Sequence, residues 1–598
     1  MSADLFEHEQ INEQEKQIGS RKAFARLLPL LKSHVRGLLL CLFLLAGATV
    51  LSLYWPLLLK RALDVNIASG DVRGLLTTVA AIGLIQVVTI VLQYLMRVRL
   101  EIIGQDVMLS LKRRLFHHIL SLDISYFDKN PVGRLMARVE SDTEALRMLF
   151  TNTAVMLVGD AILVAGIYGV LFYTEWRLAL PLFFGVPLIG FMVWVFHKKT
   201  TPRFLEVRKK MAEVTATLTE LLHGMSIIQI FHRGAYARYK AFKANQAKFN
   251  DDAYVNISVV LFFNAVFFLE YVKIGLVLVV GPILGITYGA ILMFIIYIWR
   301  SFEPIWRTSE QLSTLQKAVA GSKRIFALMS QKSRLPQPAQ PRRWDRLEKG
   351  IRFENVSFSY TGDGNYALKD ATFEVPVGKR VALVGVTGGG KTTVISLLLR
   401  LYDPQKGKIT VDGLDIRDLA SDRLRSRLAL VLQDIVLFPG DVESNISLES
   451  DAISREAVIR AAQTVEADRF IRRLSGGYGT EVSEKGANFS RGERQLLSFA
   501  RALAYDPDVL ILDEATSSVD PETERTIQNS LKRLMEGRTS LVIAHRLSTI
   551  LDADQILVIR RGEIIERGTH TELIMQDGYY SKLFHLQFKN ANGVTTNA

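Results

Sequence analysis

Six stretches of this chain are long and apolar enough to cross a lipid bilayer, and nothing else in its 598 residues restricts the fold as tightly. They lie at about 37–59, 75–96, 153–173, 178–196, 257–281 and 287–306. A helix needs roughly 20 apolar residues to cover about 30 Å of hydrocarbon. In that solvent each backbone N–H and C=O must find its partner within the segment, so the six stretches predict six transmembrane α-helices. The connections at 60–74, 174–177 and 282–286 are short, whereas 97–152 and 197–256 are long, helix-like and basic. Lys112, Arg113, Arg114, Lys198, Lys199, Arg203, Arg208, Lys209 and Lys210 assign the long connections to the cytoplasmic side, and both termini with them. These connections are too polar for lipid and read as helices continuing below the membrane. Each holds a plausible reversal, at Asn130-Pro131 with Gly133 in the first and around Gly224 in the second.

Charge agrees with this layout. Residues 1–340 carry 38 Lys+Arg against 24 Asp+Glu, whereas 341–598 carry 35 against 36, so the net +13 belongs to the front half. A basic half can address nucleic acid, but here the apolar runs share it, and the positive-inside bias of a membrane protein is the better reading; no nucleic-acid partner is expected. The one cysteine, Cys41, sits in an apolar run, which excludes an intrachain disulfide or a cysteine metal site. Residues 1–19 lack the basic start and apolar core of a signal peptide. Residues 20–35 alternate basic and apolar positions at helical spacing and predict an amphipathic elbow helix on the cytoplasmic membrane face.

A proline-bearing segment, 331–348, with Pro336, Pro338 and Pro341, reads as a linker. Beyond it, short β-like runs (RVALVGV, LALVLQD, DVLILDE, TSLVIAH) alternate with amphipathic helices. That pattern predicts a soluble α/β domain with a largely parallel sheet. The expected organisation is therefore a cytoplasmic start and elbow (1–35), an all-α six-helix transmembrane domain (36–330), the linker (331–348) and an α/β P-loop domain (349–598).

The strand RVALVGV runs into GVTGGGKTT, residues 385–393, which fits G-x-x-x-x-G-K-T. Gly385, Gly388, Gly389 and Gly390 with Thr387 let backbone N–H groups curl around phosphate, and the helix that follows adds its dipole. Lys391 is expected to reach the β- and γ-phosphates, Thr392 to ligate Mg²⁺, and Thr393 to complete the loop. In DVLILDE a buried strand ends on Asp513, suited to holding Mg²⁺ through water, and Glu514 beside it is suited to orient or deprotonate the attacking water. The alternative for this acidic pair, helix capping, is outweighed by its position beyond the phosphate loop. A third element, NFSRGERQLLSFARAL, places Ser490, Gly492 and Glu493 at the opening of a helix.

The order of phosphate loop, Gln433 in VLQD, the serine-glycine motif, LILDEATSSVD and His545 in IAHR resembles the nucleotide-binding domain of ABC transporters. The six-helix layout and YFDKNPVGRL in the first long connection resemble the membrane domain of their exporters, so the resemblance covers the whole chain. It implies an ATP hydrolase coupled to transport, in a plasma membrane and as a dimer, with ATP and Mg²⁺ as ligands. It implies an adenine-stacking role for Tyr360, an Mg²⁺ contact for Gln433, and γ-phosphate contacts for His545 and, on a partner's nucleotide, for Ser490 and Gly492. Residues 517–520, ending in Asp520, match the loop that touches the opposite site, and 481–486 match the exporter segment that meets the cytoplasmic loops.

This sequence departs from the family's L-S-G-G-Q signature, with Phe489, Arg491 and Glu493 at three of the five positions. Arg491 is the consequential change, because glycine there lets the helix end approach phosphate. Glu514 and His545 are intact, which resembles the catalytic-Glu subunit of bacterial heterodimeric multidrug exporters. The expected partner is a second half-transporter, different from this chain, with a homodimeric lipid flippase as the alternative. An ATP-gated channel on the same fold stays open; a soluble DNA-repair-type ATPase conflicts with the six spans, and an importer with the fused domains. The expected cargo is an amphiphile, a drug or a lipid. Phe262, Phe263, Phe267 and Phe268 are either its pocket wall or packing surface, and Glu270 with Lys273, three apart in the fifth span, either face a cavity or form a static pair.

Overall fold

The computed structural model describes Pro29 and residues 32–333, 335–513, 521–544 and 547–588. It divides into two compact units. One takes in Val132–Gln331 and the described residues before Ser121; the other takes in Ser121–Pro131 and the described residues from Lys332 onward.

The first unit is helical throughout. Helix α1 (Val35–Arg61) and α2 (Val72–Leu120) precede the short α3 (Ile124–Lys129), which belongs to the second unit. Then come α4 (Val132–Thr174, helical across two π-turns), α5 (Trp176–His223), the short α6 (Met225–Ile230), α7 (Gly234–Ile283) and α8 (Tyr288–Met329). The expected spans fall in α1, α2, α4, α5, α7 and α8. The first five are long and apolar enough to cross a membrane. Helix α8 is less apolar because Arg300, Glu303 and Arg307 interrupt it. Their charges are taken up inside the bundle: Arg300 donates to the carbonyl and hydroxyl oxygens of Ser52, and Arg307 to Asp160 at 2.9 Å. The long connections continue as helix, as their polarity and periodicity require. The first breaks at Asp123, whose carboxylate caps α3 through the Tyr126 N–H, and at Asn130, which is extended. Gly133 lies within helix, so of the expected breakers only Asn130-Pro131 interrupts it. The second breaks at Gly224, as expected.

The helices meet around Leu53, Ile167, Leu182, Val266, Phe294 and Phe302, all buried. Phe43, Leu84, Phe184, Phe191 and Ile283 point outward and are more than half exposed. In water such surface would be costly; in hydrocarbon it is the required exterior. The elbow helix expected at 20–35 lies almost wholly outside the described residues.

Among the described residues the second unit contains two extended sheets and a short two-stranded one that pairs Gly440–Asp441 with Glu481–Val482. Strands β1 (Gly350–Phe358), β2 (Leu368–Pro376), β4 (Lys406–Val411) and β5 (Leu414–Asp415) form an antiparallel sheet in the order β2-β1-β4-β5. Strands β3 (Arg380–Val384), β6 (Leu428–Val431), β7 (Val509–Asp513), β8 (Thr539–Ile543), β9 (Gln555–Arg560) and β10 (Glu563–Gly568) form the larger sheet, in the order β10-β9-β3-β8-β7-β6. It is parallel except for β10 at its edge. Its inner strands are buried along their lengths, as a parallel sheet covered on both faces demands, whereas β10 alternates exposed and half-buried positions. A separate apolar core, with Ile446, Val458, Leu497 and Phe499, packs helical segments that include α9 (Arg491–Ala504).

The proline-bearing segment is not a free spacer. Arg400, only 1% exposed, donates to the Pro336 carbonyl at 2.8 Å, and Gln337 donates to Ser421 at 2.9 Å. The Trp344 indole N–H reaches Asp412 at 2.9 Å, and the same carboxylate accepts the N–H of Lys349 at 2.6 Å. Proline shortens the list of backbone donors, and the Asp508 and Asp412 carboxylates accept those of Leu347, Glu348 and Lys349.

Candidate active site

Strand β3 ends in the loop 385–390, and the helix Lys391–Leu398 follows. The register places β3 centrally: Arg380–Leu383 pair in parallel with Ser540–Ile543, and β8 pairs with β7 so that Ile543 lies opposite Asp513. The loop and Asp513 therefore both emerge at the carboxyl ends of inner strands, where ligands of open α/β sheets bind. Two glycines are there by necessity. Gly390 has φ +110°, and a Cβ on it would come within 2.6 Å of the Ala367 carbonyl. A Cβ on Gly385 would fall 2.1 Å from the Ile559 carbonyl.

These elements enclose a cavity of about 440 Å³ lined by Tyr360, Thr387, Gly388, Gly390, Lys391, Thr392, Thr393, Gln433 and Asp513. Lys391 folds back on its own loop, its Nζ donating to the carbonyls of Gly385 at 2.8 Å and Val386 at 3.0 Å. Burial pushes its ammonium below the ordinary lysine value, and the nearby Asp513 charge opposes that shift. Tyr360 donates to Thr393 at 3.3 Å and stands edge-on to Tyr402, with ring centroids 5.2 Å apart. The cavity thus joins backbone N–H groups at a helix N-terminus, a cation, hydroxyl and carboxylate oxygens, and an aromatic ring. That set suits a nucleoside triphosphate.

Of the expected residues, Gly385 and Gly389 shape the loop without lining the cavity. Ser490, Gly492 and Glu493 are elsewhere, at the start of α9. There Ser490 and Glu493 form a reciprocal cap: the Ser490 hydroxyl accepts the Glu493 N–H at 3.2 Å, and the Glu493 carboxylate accepts the Ser490 N–H at 2.8 Å. Glu514, Asp520 and His545 lie outside the described residues, as does the whole 517–520 loop. Reading the sequence missed Ala367 and Ile543, which also line the cavity. Neither has a side chain that signals such a role, and both arrive through the sheet register and a close backbone approach. It also missed Tyr402, whose ring braces Tyr360.

Comparison with known proteins decides the family. The ABC transporter transmembrane region family matches residues 38–300, and the ABC transporter family matches 368–517. The ATP-dependent lipid A-core flippase of Syntrophus aciditrophicus is 34% identical over 95% of this chain and 94% of its own length. This chain belongs to the ABC transporters. The probable multidrug resistance ABC transporter ATP-binding/permease protein YheH of Bacillus subtilis is 35% identical over 86% of this chain and 77% of its own. A solved structure of a bacterial Atm1-family ABC exporter with ATP bound superimposes with a TM-score of 0.74 at 25% identity, covering 94% of this chain and 99% of that one. As an ABC exporter of the multidrug and lipid-flippase type, the chain is a multi-pass membrane protein that binds ATP in a cytoplasmic domain and couples its hydrolysis to transport.

Proposed function

We propose that this chain is one half of a heterodimeric exporter that moves amphiphilic drugs or lipids outward by alternating access. The observation that carries the dimer is the separation of Ser490, Gly492 and Glu493 from the phosphate-loop cavity of the same chain. One chain then supplies Lys391, Thr392, Gln433 and Asp513 to a nucleotide, and another chain's signature closes it. A second feature supports a partner copy: at the tip of the α5–α7 hairpin, α6 leaves Ile227, Ile230 and the adjoining Phe231 more than 60% exposed. The intact Glu514 and His545 beside the altered Arg491 favour an unlike partner, so that one site turns over faster than the other.

In this reading Tyr360 stacks on adenine, Lys391 leaves its loop carbonyls for the phosphates, and Glu514 orients the attacking water with His545 on the γ-phosphate. Thr392, Gln433 and Asp513 all line the cavity and carry the hard oxygen donors that Mg²⁺ takes, so the ion suits this donor set. When bound, Mg²⁺ neutralises phosphate charge. Closing two such sites must shift the membrane gate by about 5.5 kcal/mol to take it from 1:99 to 99:1. Residues 20–35 would rest on the membrane as an elbow.

The test is Glu514→Gln. Turnover should fall by about 100-fold or more, as for loss of a general base, while ATP binding persists. Hydrolysis near the wild-type rate would overturn the assignment of Glu514.

A further inference from the structure

The fourth apolar stretch ends at Phe196, and the fifth begins just before Val259 and Phe263. Between them, within the helical unit, lies a cavity of about 310 Å³, completed by Phe204, Leu205 and Arg208 of α5 and by Ser313 and Gln316 of α8. Its volume is at the lower end of small-molecule sites. Phe196 is stacked on Phe262 at 4.4 Å, and Phe262 meets Phe263 edge-on at 5.4 Å, so the aromatic wall is braced from behind. Of the four phenylalanines expected to form a pocket, Phe263 lines this cavity, Phe262 supports it, and Phe268 is 70% exposed elsewhere.

The polar end has one sign of charge. Among the described residues no aspartate or glutamate lines the cavity, and Arg208 lines it without a hydrogen bond or ion pair. The neighbouring bases are already committed. Lys210 and Arg203 share Asp251 at 2.5 and 3.3 Å, and Lys209 faces Glu206 at 3.5 Å. Lys198 lies 5.0 Å over the Trp194 ring. His197 is tied to Thr201 through Nδ1 and Oγ1 at 2.9 Å, which adds polar groups but no carboxylate. A free guanidinium beside an apolar aromatic hollow repels a cationic amphiphile and complements an anionic one.

We propose that this cavity binds an anionic amphiphile, with the apolar body against Phe196, Val259 and Phe263 and the acidic headgroup at Arg208. The proposal deepens the exporter reading by naming the charge class of its cargo. The same chemistry is offered by an acidic bilayer lipid and by an acidic amphiphile partitioning from solution.

The experiment uses the full chain in phosphatidylcholine nanodiscs without nucleotide. The probes are 11-(dansylamino)undecanoic acid, its primary amide, and the amine of matched length, each followed by dansyl fluorescence. The acid should bind about tenfold tighter than the amide, the difference a charge-assisted hydrogen bond makes, and the amine should bind weakest. Arg208→Gln should erase the preference for the acid, and Arg208→Lys should keep part of it. Phe263→Ala should weaken all three probes alike. Arg208 is exposed, so the two Arg208 substitutions leave the packed bundle untouched. Displacement of the acid by added phosphatidylglycerol would identify a bilayer lipid as the occupant, and undiminished binding would identify the partitioning amphiphile. Equal binding of acid and amine, or a preference that survives Arg208→Gln, would overturn the proposal. Because binding is read without ATP, that failure is distinct from failure of the exporter reading, which would appear as absent ATP-driven transport.

Discussion

Arg400 shows how a single residue ties a connecting segment to a domain. Its side chain, 1% exposed, donates to Asp403 at 3.2 Å, to the Leu419 carbonyl at 3.2 Å and to the Pro336 carbonyl at 2.8 Å. A buried charge is tolerable only when its donors are satisfied, and here two carbonyls and a carboxylate satisfy them. Arg400→Met keeps the apolar stem but strands those acceptors, at a cost of about 3 kcal/mol. Amides of 336–349 should then exchange faster with solvent, while the phosphate-loop amides keep their protection; unchanged exchange would mean that the segment is held by its other contacts alone.

Between elements, the membrane bundle buries two titratable side chains that the fifth span carries. Glu270 and Lys273 are 3% and 5% exposed, but they do not form the direct ion pair that their spacing suggests. Lys273 reaches the Tyr168 hydroxyl at 3.4 Å and lies 5.0 Å over the Phe302 ring, while Glu270 Oε1 has no hydrogen-bond partner. The end of the lysine side chain lies against Gly185 of α5: a Cβ there would stand 2.1 Å from Lys273 Cε, and the lysine would have to shift. Gly185→Ala should therefore cost about 1–3 kcal/mol as an overpacked contact, and adding Lys273→Ala should recover much of the loss. Thermal unfolding of the two single variants and the double variant in detergent measures the coupling, and simple additivity would refute the contact. A second pairing of elements joins α3 to the α/β domain. Asp123 accepts from Ser333 at 3.2 Å, and Asp128 accepts the phenolic proton of Tyr402. Burial and the Asp128 charge both hold that proton on Tyr402. Since Tyr402 braces Tyr360, this bond ties α3 to the aromatic wall of the cavity. Tyr402→Phe should leave basal ATP hydrolysis within about twofold and reduce transport per ATP; the missing bond is one of about 1.5 kcal/mol. Coupled transport at the wild-type ratio would argue against it.

For the whole molecule, the decisive question is what completes the second half of each nucleotide site. If the partner is unlike, the purified chain alone in membranes should hydrolyse ATP slowly. Activity should rise by about tenfold or more when a second half-transporter with an unaltered signature is added, because positioning a γ-phosphate donor acts on the transition state. Arg491→Gly should then speed the slower site. Robust turnover and transport by the chain alone would establish a homodimer, as would indifference to Arg491→Gly in both preparations.

Much of this protein was readable without coordinates, for two physical reasons. Hydrocarbon forbids unsatisfied backbone, so a run of about 20 apolar residues admits few structures but a helix. Phosphate binding demands bare backbone at a strand–helix turn, so 385–393 was legible from its glycines, and Asp513 from the buried strand it ends. The break at Asn130-Pro131 followed from proline's missing N–H. Tertiary structure decided what depends on distant chain. It docked the proline-bearing segment through Arg400 and Asp412, where composition suggested a spacer. It separated Lys273 from Glu270, because rotamer and neighbours, not spacing, set which groups meet. It put Ala367 and Ile543 on the cavity wall, since sheet order has no local signal, and it left Arg208 unpaired by spending Lys210 and Arg203 on Asp251, 41 and 48 residues away in the chain.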